Sequence, residues 1–153
     1  MNPPLPTPIV HLTHVKNLPS IFSAGGILSY NEMLRRELGY QNIAYSHIQT
    51  RRASIMVFGA SGGSLHNYAP FHFGPKSPML YAISNGQVPG YEEGQEPLVY
   101  LVSTAQAVEE AGLSFAFTDG HAIMRLSEQY FDLSNLDKLS WGVINGTYWF
   151  DSD

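Results

Sequence analysis

Three groups of residues carry side chains able to do chemistry. His11 and His14 form a His-x-x-His pair, Arg51 and Arg52 are adjacent, and Ser64–Ile83 (SLHNYAPFHFGPKSPMLYAI) mixes Tyr68, Phe71, Phe73 and Tyr81 with His66, His72, Lys76 and three prolines. The last stretch suits neither a central strand, which has no use for three prolines, nor a plain loop, which has no use for so many aromatics. It reads as a rigid, half-buried wall against which a flat ligand stacks. Paired guanidinium groups are fork-shaped donors for phosphate or for a base edge. The same pair can equally be a solvated surface feature.

The elements that position these groups follow from the pattern. Ile9–Val15 (IVHLTHV) is β-branched and alternating, a strand on which His11 and Thr13 share one face and His14 points to the other. Residues three apart on a strand cannot share a metal, and the chain has no cysteine and no His-Glu-x-x-His. The histidines are therefore read as structural or substrate-contacting groups. Ser61-Gly62-Gly63-Ser64 lacks the Gly-Lys-Ser/Thr ending of a phosphate loop, and no Gly-x-Ser-x-Gly elbow is present.

A short helix, Leu18–Ala24, is expected after Asn17 as cap, with Gly25-Gly26 ending it. Ser29 and Glu32 have capping-box spacing before MLRREL, a helix that Gly39 would end. Ile43–Ile48 reads as a short strand or a helix start. Leu98–Val102 reads as a buried strand, with a Ser103/Gln106 box opening the next helix. Leu113–Phe117 reads as a strand, His121–Tyr130 as starting helical, Ser134 as the cap of one more helix, and Thr147–Phe150 (TYWF) as strand-like. Strands and helices interleave without a βαβ rhythm, which points to an α+β fold.

At 153 residues the chain has the length of one domain, residues 1–153, with a real core. No apolar run is long enough to span a bilayer and no basic-then-apolar leader opens the chain, so a cytoplasmic protein is the expectation. The net charge of −5 is uneven: residues 1–76 carry +4 and residues 77–153 carry −9. An anionic ligand would favour the first half.

Four stretches together resemble one family. They are PIVHLTHVKNLPSIFSAGGI, NIAYSHIQTRRA, GGSLHNYAPFHFGPKSPMLYAI with EEGQEPLVYLVS, and AGLSFAFTDGHA followed by YW. They resemble the DarT toxins, ADP-ribosyltransferase-like proteins that use NAD to modify thymidine bases in single-stranded DNA. The resemblance runs from Pro8 to Trp149. It implies a split antiparallel or mixed sheet flanked by short helices, with NAD as substrate in the cleft between, no metal, and a macrodomain antitoxin of the DarG type as partner.

Carried over residue by residue, the resemblance implies that His11, Leu12 and Thr13 hold the nicotinamide and its ribose. Ser20 and Leu28 line the dinucleotide cleft, and Asn31–Ala53 closes over NAD. Arg52 lies beside the reacting base as the catalytic cation, Tyr68 stacks on nicotinamide, and Arg51 and His121 meet the DNA. Family members continue to an Ala-Glu-Phe motif whose glutamate binds the ribose. Residues 1–153 contain no such motif. The expectation is therefore impaired transfer by this polypeptide, as a shortened chain or half of a split protein. The alternative reading is a module that binds NAD or single-stranded DNA without catalysis.

Overall fold

The computed structural model describes residues 1–43, 46–124 and 126–146, with the side chains of 46 and 47 left aside. The architecture is α+β. Strand β1 (Pro8–His14) pairs antiparallel with β2 (Leu98–Thr104), running from Pro8 opposite Thr104 to His14 opposite Leu98. A second antiparallel pair joins β3 (Phe117–Thr118) to β4 (Gln129–Tyr130). The described pairings are all antiparallel, which narrows the expected antiparallel or mixed sheet. The free edge of β1 is met at one point by the aromatic stretch, where Val10 and His72 exchange both backbone hydrogen bonds at 2.8 Å.

Between the strands lie short helices whose ends follow local chemistry. Helix α1 (Leu18–Ala24) tolerates Pro19 in its first turn, where an N–H has no partner to lose, and ends at Gly25 with φ of 82°. Asn17 does precede α1, but its side chain makes no cap. Helix α2 (Tyr30–Arg35) is capped by the Ser29 hydroxyl, which accepts from the Glu32 N–H, as its spacing predicts. It ends before Gly39, with Glu37 in the left-handed region instead. Of the Ile43–Ile48 segment, residues 46–48 open helix α3 (Ser46–Ser54), while residues 44 and 45 lie outside the described residues.

The aromatic stretch is less uniform than its composition suggests. A 3-10 turn over Leu65–Asn67 is closed by a Ser64/Asn67 capping box, then irregular, bent backbone over 68–76 with a lone bridge at His72, then helix α4 (Pro78–Ser84). Pro78 lies in the first turn of α4 and the Ser77 hydroxyl accepts from Leu80 N–H at 3.1 Å, so the third proline starts a helix rather than forbidding one.

Further along, β2 is only half-buried and extends to Thr104, whose hydroxyl caps α5 (Ala105–Glu110). The expected Ser103 cap is thus displaced by one residue. Gln106 turns away to bracket Thr7, accepting from its N–H and donating to its hydroxyl. Residues Leu113–Ala116 form no strand. The segment from His121 forms successive turns rather than a helix, because side chains take the backbone groups: Ser127 Oγ donates to His121 O and Asp119 Oδ1 accepts from Glu128 N–H. A 3-10 run over Leu133–Lys138 is capped by Asp132, not Ser134, and α6 (Trp141–Ile144) follows. The expected strand at Thr147–Phe150 lies outside the described residues.

Two apolar clusters hold this arrangement. Leu12 of β1, Ile43, Ala82 and Ile83 of α4, Val88 and Tyr91 form the first, so α4 is clamped against the sheet. Phe117, Leu136, Leu139 and Trp141 form the second, with Phe73 reaching in from the aromatic stretch. Phe73 meets Phe117 and Trp141 edge-on at 5.7 and 5.6 Å. The Trp141 indole N–H donates to Leu136 O at 2.7 Å, which lets a ring 1% exposed sit in the core without an orphan donor. The stretch over 70–73 is therefore tied to the sheet by backbone and to the second cluster by Phe73.

Candidate active site

A cleft of about 160 Å³ opens beside β1. His11, Leu12 and Thr13 form its floor, Ser20 and Leu28 one flank, and Arg52, Tyr68 and Pro70 the other. Of the residues singled out from sequence, these seven non-proline positions come together, joined by His66. Arg51 and His121 do not line it. Instead, Arg51 Nη2 donates to Ile123 O at 3.0 Å, tethering α3 to the His121 turn just outside.

The floor is polar and fixed. His11 Nδ1–H donates to Pro70 O at 2.7 Å, which leaves Nε2 as an acceptor when the ring is neutral. Burial pushes the His11 pKa down, opposed by that hydrogen bond. Two residues on, the buried Thr13 hydroxyl accepts from Asn17 Nδ2 at 3.0 Å and keeps its own hydrogen to donate. His14, on the opposite face, has no part in the cleft: its Nδ1 accepts from Lys16 N–H and its Nε2–H donates to Glu93. The two histidines of the His-x-x-His pair thus serve different sides of the sheet, as the strand period requires.

One wall comes from residues within 30–43 and from Gln49 and Arg52 of α3. Tyr30 stacks on the His66 ring at 4.2 Å and meets Tyr40 edge-on at 6.5 Å. His66 Nε2 is 3.1 Å from Gln49 Oε1 of α3, so the ring is clamped from two sides. Asn17 pins the same segment near its middle, accepting from Gln41 N–H and donating to Gln41 O. Tyr30, Gln49 and Gln41 were not singled out in the sequence, since each draws its place from partners distant along the chain. His66 is the hydrogen-bonded core histidine that its type suggests.

Tyr68 donates its hydroxyl to Gly62 O at 2.8 Å, which orients a half-buried ring along the cleft. The turn that receives it needs glycine: Gly63 has φ of +78°, and a Cβ there would meet Asn67 Oδ1 at 2.5 Å.

Electrostatically the cleft is positive and short of anions. Arg52 is half-buried, makes no ion pair with a described residue, and burial pushes its guanidinium pKa down from its ordinary value. His72 falls to about 4 through burial and through His121, Arg52 and His11. Burial and Arg52 lower His66 as well, and burial with Arg52 and Arg51 lowers His121. A desolvated cation surrounded by imidazoles held neutral is an arrangement that an anion or an electron-rich base edge would complete. No carboxylate is among the described residues that line the cleft.

Such a cleft, in an α+β fold with an arginine that no described carboxylate pairs and an aromatic flank, is the kind that binds an anionic dinucleotide. The chain belongs to the family of ssDNA thymidine ADP-ribosyltransferases, DarT, whose model it matches over residues 10–153. A DNA ADP-ribosyl transferase of Thermus sp. is 46% identical over 148 residues, covering 97% of this chain and 69% of that protein. A DNA ADP-ribosyl transferase–glycohydrolase fusion protein of Thermosipho africanus is 26% identical, covering 95% of this chain and 35% of that one.

Among solved structures, Thermus sp. 2.9 DarT in complex with ADP-ribosylated ssDNA superposes with a TM-score of 0.91 at 45% identity, covering 99% of this chain and 70% of that one. The same protein in complex with NAD+ gives a TM-score of 0.83 at 41% identity, covering 98% and 70%. The chain therefore spans about two thirds of the length of these Thermus proteins.

Proposed function

We propose that the cleft binds NAD and that the site transfers its ADP-ribose to a thymidine base in single-stranded DNA. The observation that carries this reading is the half-buried Arg52, without an ion pair among the described residues, at a cleft flanked by Tyr68 and floored by His11, Leu12 and Thr13. Family membership supports it, as do the NAD+ and ADP-ribosylated ssDNA named in the two Thermus complexes.

In this reading His11 and Thr13 hold the nicotinamide and its ribose, Leu12, Ser20 and Leu28 shape the cleft around the dinucleotide, and Tyr68 stacks on the nicotinamide ring. The nicotinamide–ribose bond breaks with its electron pair leaving on nicotinamide, and the ribose becomes cation-like at its anomeric carbon. A thymine ring nitrogen supplies the new bond and loses its proton to water or a neutral imidazole. Arg52 anchors the base and makes that proton easier to lose, because a nearby cation stabilises the deprotonated ring. Arg51 and His121, outside the cleft mouth, contact the DNA strand. A glycohydrolase of the kind fused to the Thermosipho relative is the matching partner, removing the modification.

A second reading, binding without transfer, rests on the absence of a carboxylate among the described lining residues. A cation-like ribose then lacks a counter-charge in the described cleft, and transfer is slowed.

The test is incubation with NAD and thymidine-containing single-stranded oligonucleotides, read by oligonucleotide mass, alongside calorimetric titration with NAD. A gain of one ADP-ribose that disappears in Arg52→Ala supports transfer. NAD binding with no mass gain supports the second reading. Failure to bind NAD at all would overturn the assignment of the cleft.

A further inference from the structure

Just outside the cleft, two loops present apolar side chains that neither core cluster takes up. Phe58 is 86% exposed and Leu126 95%, with Met56 and Met124 exposed beside them in sequence. Lone surface hydrophobes need no explanation, but these sit on loops that the fold has taken care to immobilise. The carboxamide of Gln129 brackets the first loop, accepting from Phe58 N–H at 3.0 Å and donating to Met56 O at 2.8 Å. Within that loop, Val57 N–H donates to Gly63 O and Gly62 N–H to Gly59 O, both at 2.8 Å.

Below it, Gly59 lies so close to the ring of Phe131 that a Cβ at 59 would approach it to 2.7 Å. The second loop is held by the Arg51 hydrogen bond to Ile123 O and by the Ser127 hydroxyl on His121 O. An aromatic ring is thus directed into solvent from a backbone already fixed, so a ligand that stacks on it has little loop ordering left to impose.

Charge indicates the ligand. Arg51 is exposed and ties α3 to the second loop, and its neighbour Arg52 lines the cleft. Of the acids in the second loop, Asp119 spends one carboxylate oxygen on the Glu128 N–H. A protruding ring on the loop whose Gly62 O receives the Tyr68 hydroxyl of the cleft, with an exposed guanidinium one residue from Arg52, is the combination that takes unpaired nucleobases, by stacking on their faces and pairing with their phosphates.

From this geometry we infer that Phe58, with Met56, Met124 and Leu126, is a stacking ridge for a nucleobase flanking the target base, and that Arg51 meets the adjoining phosphate. This rests on the reading that single-stranded DNA is the acceptor, and it makes the ridge a determinant of which neighbours the target base has.

The experiment is fluorescence anisotropy of a labelled thymidine-containing single-stranded oligonucleotide, intact or with one abasic site beside the target. It compares wild type, Phe58→Ala and Phe58→Trp, with NAD calorimetry on each. The expected result is roughly tenfold weaker binding in Phe58→Ala, recovery in Phe58→Trp, and unchanged NAD affinity. The abasic site should weaken wild type but leave Phe58→Ala nearly unaffected. Equal oligonucleotide affinity in wild type and Phe58→Ala would overturn the ridge while leaving DNA as acceptor. NAD binding without any oligonucleotide binding in wild type would overturn both. Self-association lost in Phe58→Ala, with DNA affinity unchanged, would make the ridge a protein contact and overturn it.

Discussion

The side-chain amide of Asn17 forms a two-way hydrogen bond with the backbone of Gln41, accepting at 2.7 Å and donating at 3.1 Å. Asn17 also donates to Thr13, so one buried residue joins the floor of the cleft to the part of the wall that holds Gln41. Replacing it leaves the Gln41 N–H without its acceptor at a part-buried site, a loss of about 1–3 kcal/mol. Asn17→Ala should therefore lower stability by that amount. It should also speed amide exchange around Gln41 more than around the paired strands β1 and β2. Native-state hydrogen exchange read residue by residue checks this, and uniform acceleration throughout would refute the stapling role.

Arg52 is among the causes that depress His66, His72 and His121. Arg52→Met removes the charge while keeping the apolar stem. The imidazole pKa values of all three should rise toward the ordinary histidine value, with His11 moving least because Arg52 is not among its causes. Titration of the imidazole resonances by NMR reads this directly. Unmoved values in the variant would separate Arg52 from the cluster electrostatically.

Stability should depend on pH through His72. Its folded pKa, about 4, lies below the ordinary 6.5, so the unfolded chain binds the proton more readily than the fold does. The contribution is fully present above pH 6.5 and is lost progressively as the pH falls toward 4. His11, His66 and His121 are shifted the same way and add to the trend. Urea unfolding at several pH values should show a falling midpoint across this window, flattened in His72→Gln. A midpoint flat from pH 7 to 4.5 in wild type would contradict the burial of these rings in neutral form.

Trp141 fills the second cluster at 1% exposure with its indole N–H satisfied. Trp141→Ala should cost about 3–5 kcal/mol, from lost transfer energy and the cavity left behind. Because Phe73 packs on that ring and belongs to the same stretch as Pro70, NAD affinity should fall with it. Denaturant unfolding and calorimetry on one preparation test both effects, and a loss below 1 kcal/mol would mean the cluster collapses around the gap.

Much of the site was legible because it rests on local rules. The period of β1 separates His11 and Thr13 from His14, and Gly25 and Ser29 mark where α1 ends and α2 begins. The composition of the aromatic stretch pointed to a stacking wall, and the family resemblance singled out Tyr68 within it. Other parts depend on partners that a sequence does not display. Ser103 and Thr104 are adjacent residues able to cap, and the choice falls to Thr104 while Gln106 is drawn to Thr7, 99 positions away. Pro78 reads only as unfit for a central strand until Ser77 is seen as the cap that makes it a helix start. Asn17 has the type and position of a cap, yet the competing bonds to Thr13 and Gln41 take its side chain. Tyr30 and Gln49 matter only because His66 arrives between them.

The double backbone hydrogen bond between Val10 and His72 also bears on solubility. A two-stranded sheet has two open edges, and the edge of β1 would invite another chain to pair with it. Here it is occupied at its centre by a segment with Pro70 and Pro75 on either side of the contact, residues that have no N–H with which to extend a ladder. The segment that borders the cleft is therefore also the guard against edge-to-edge aggregation. Variants at Pro70, His72 or Pro75 made to alter ligand binding should be examined for oligomers before any loss of affinity is ascribed to the cleft.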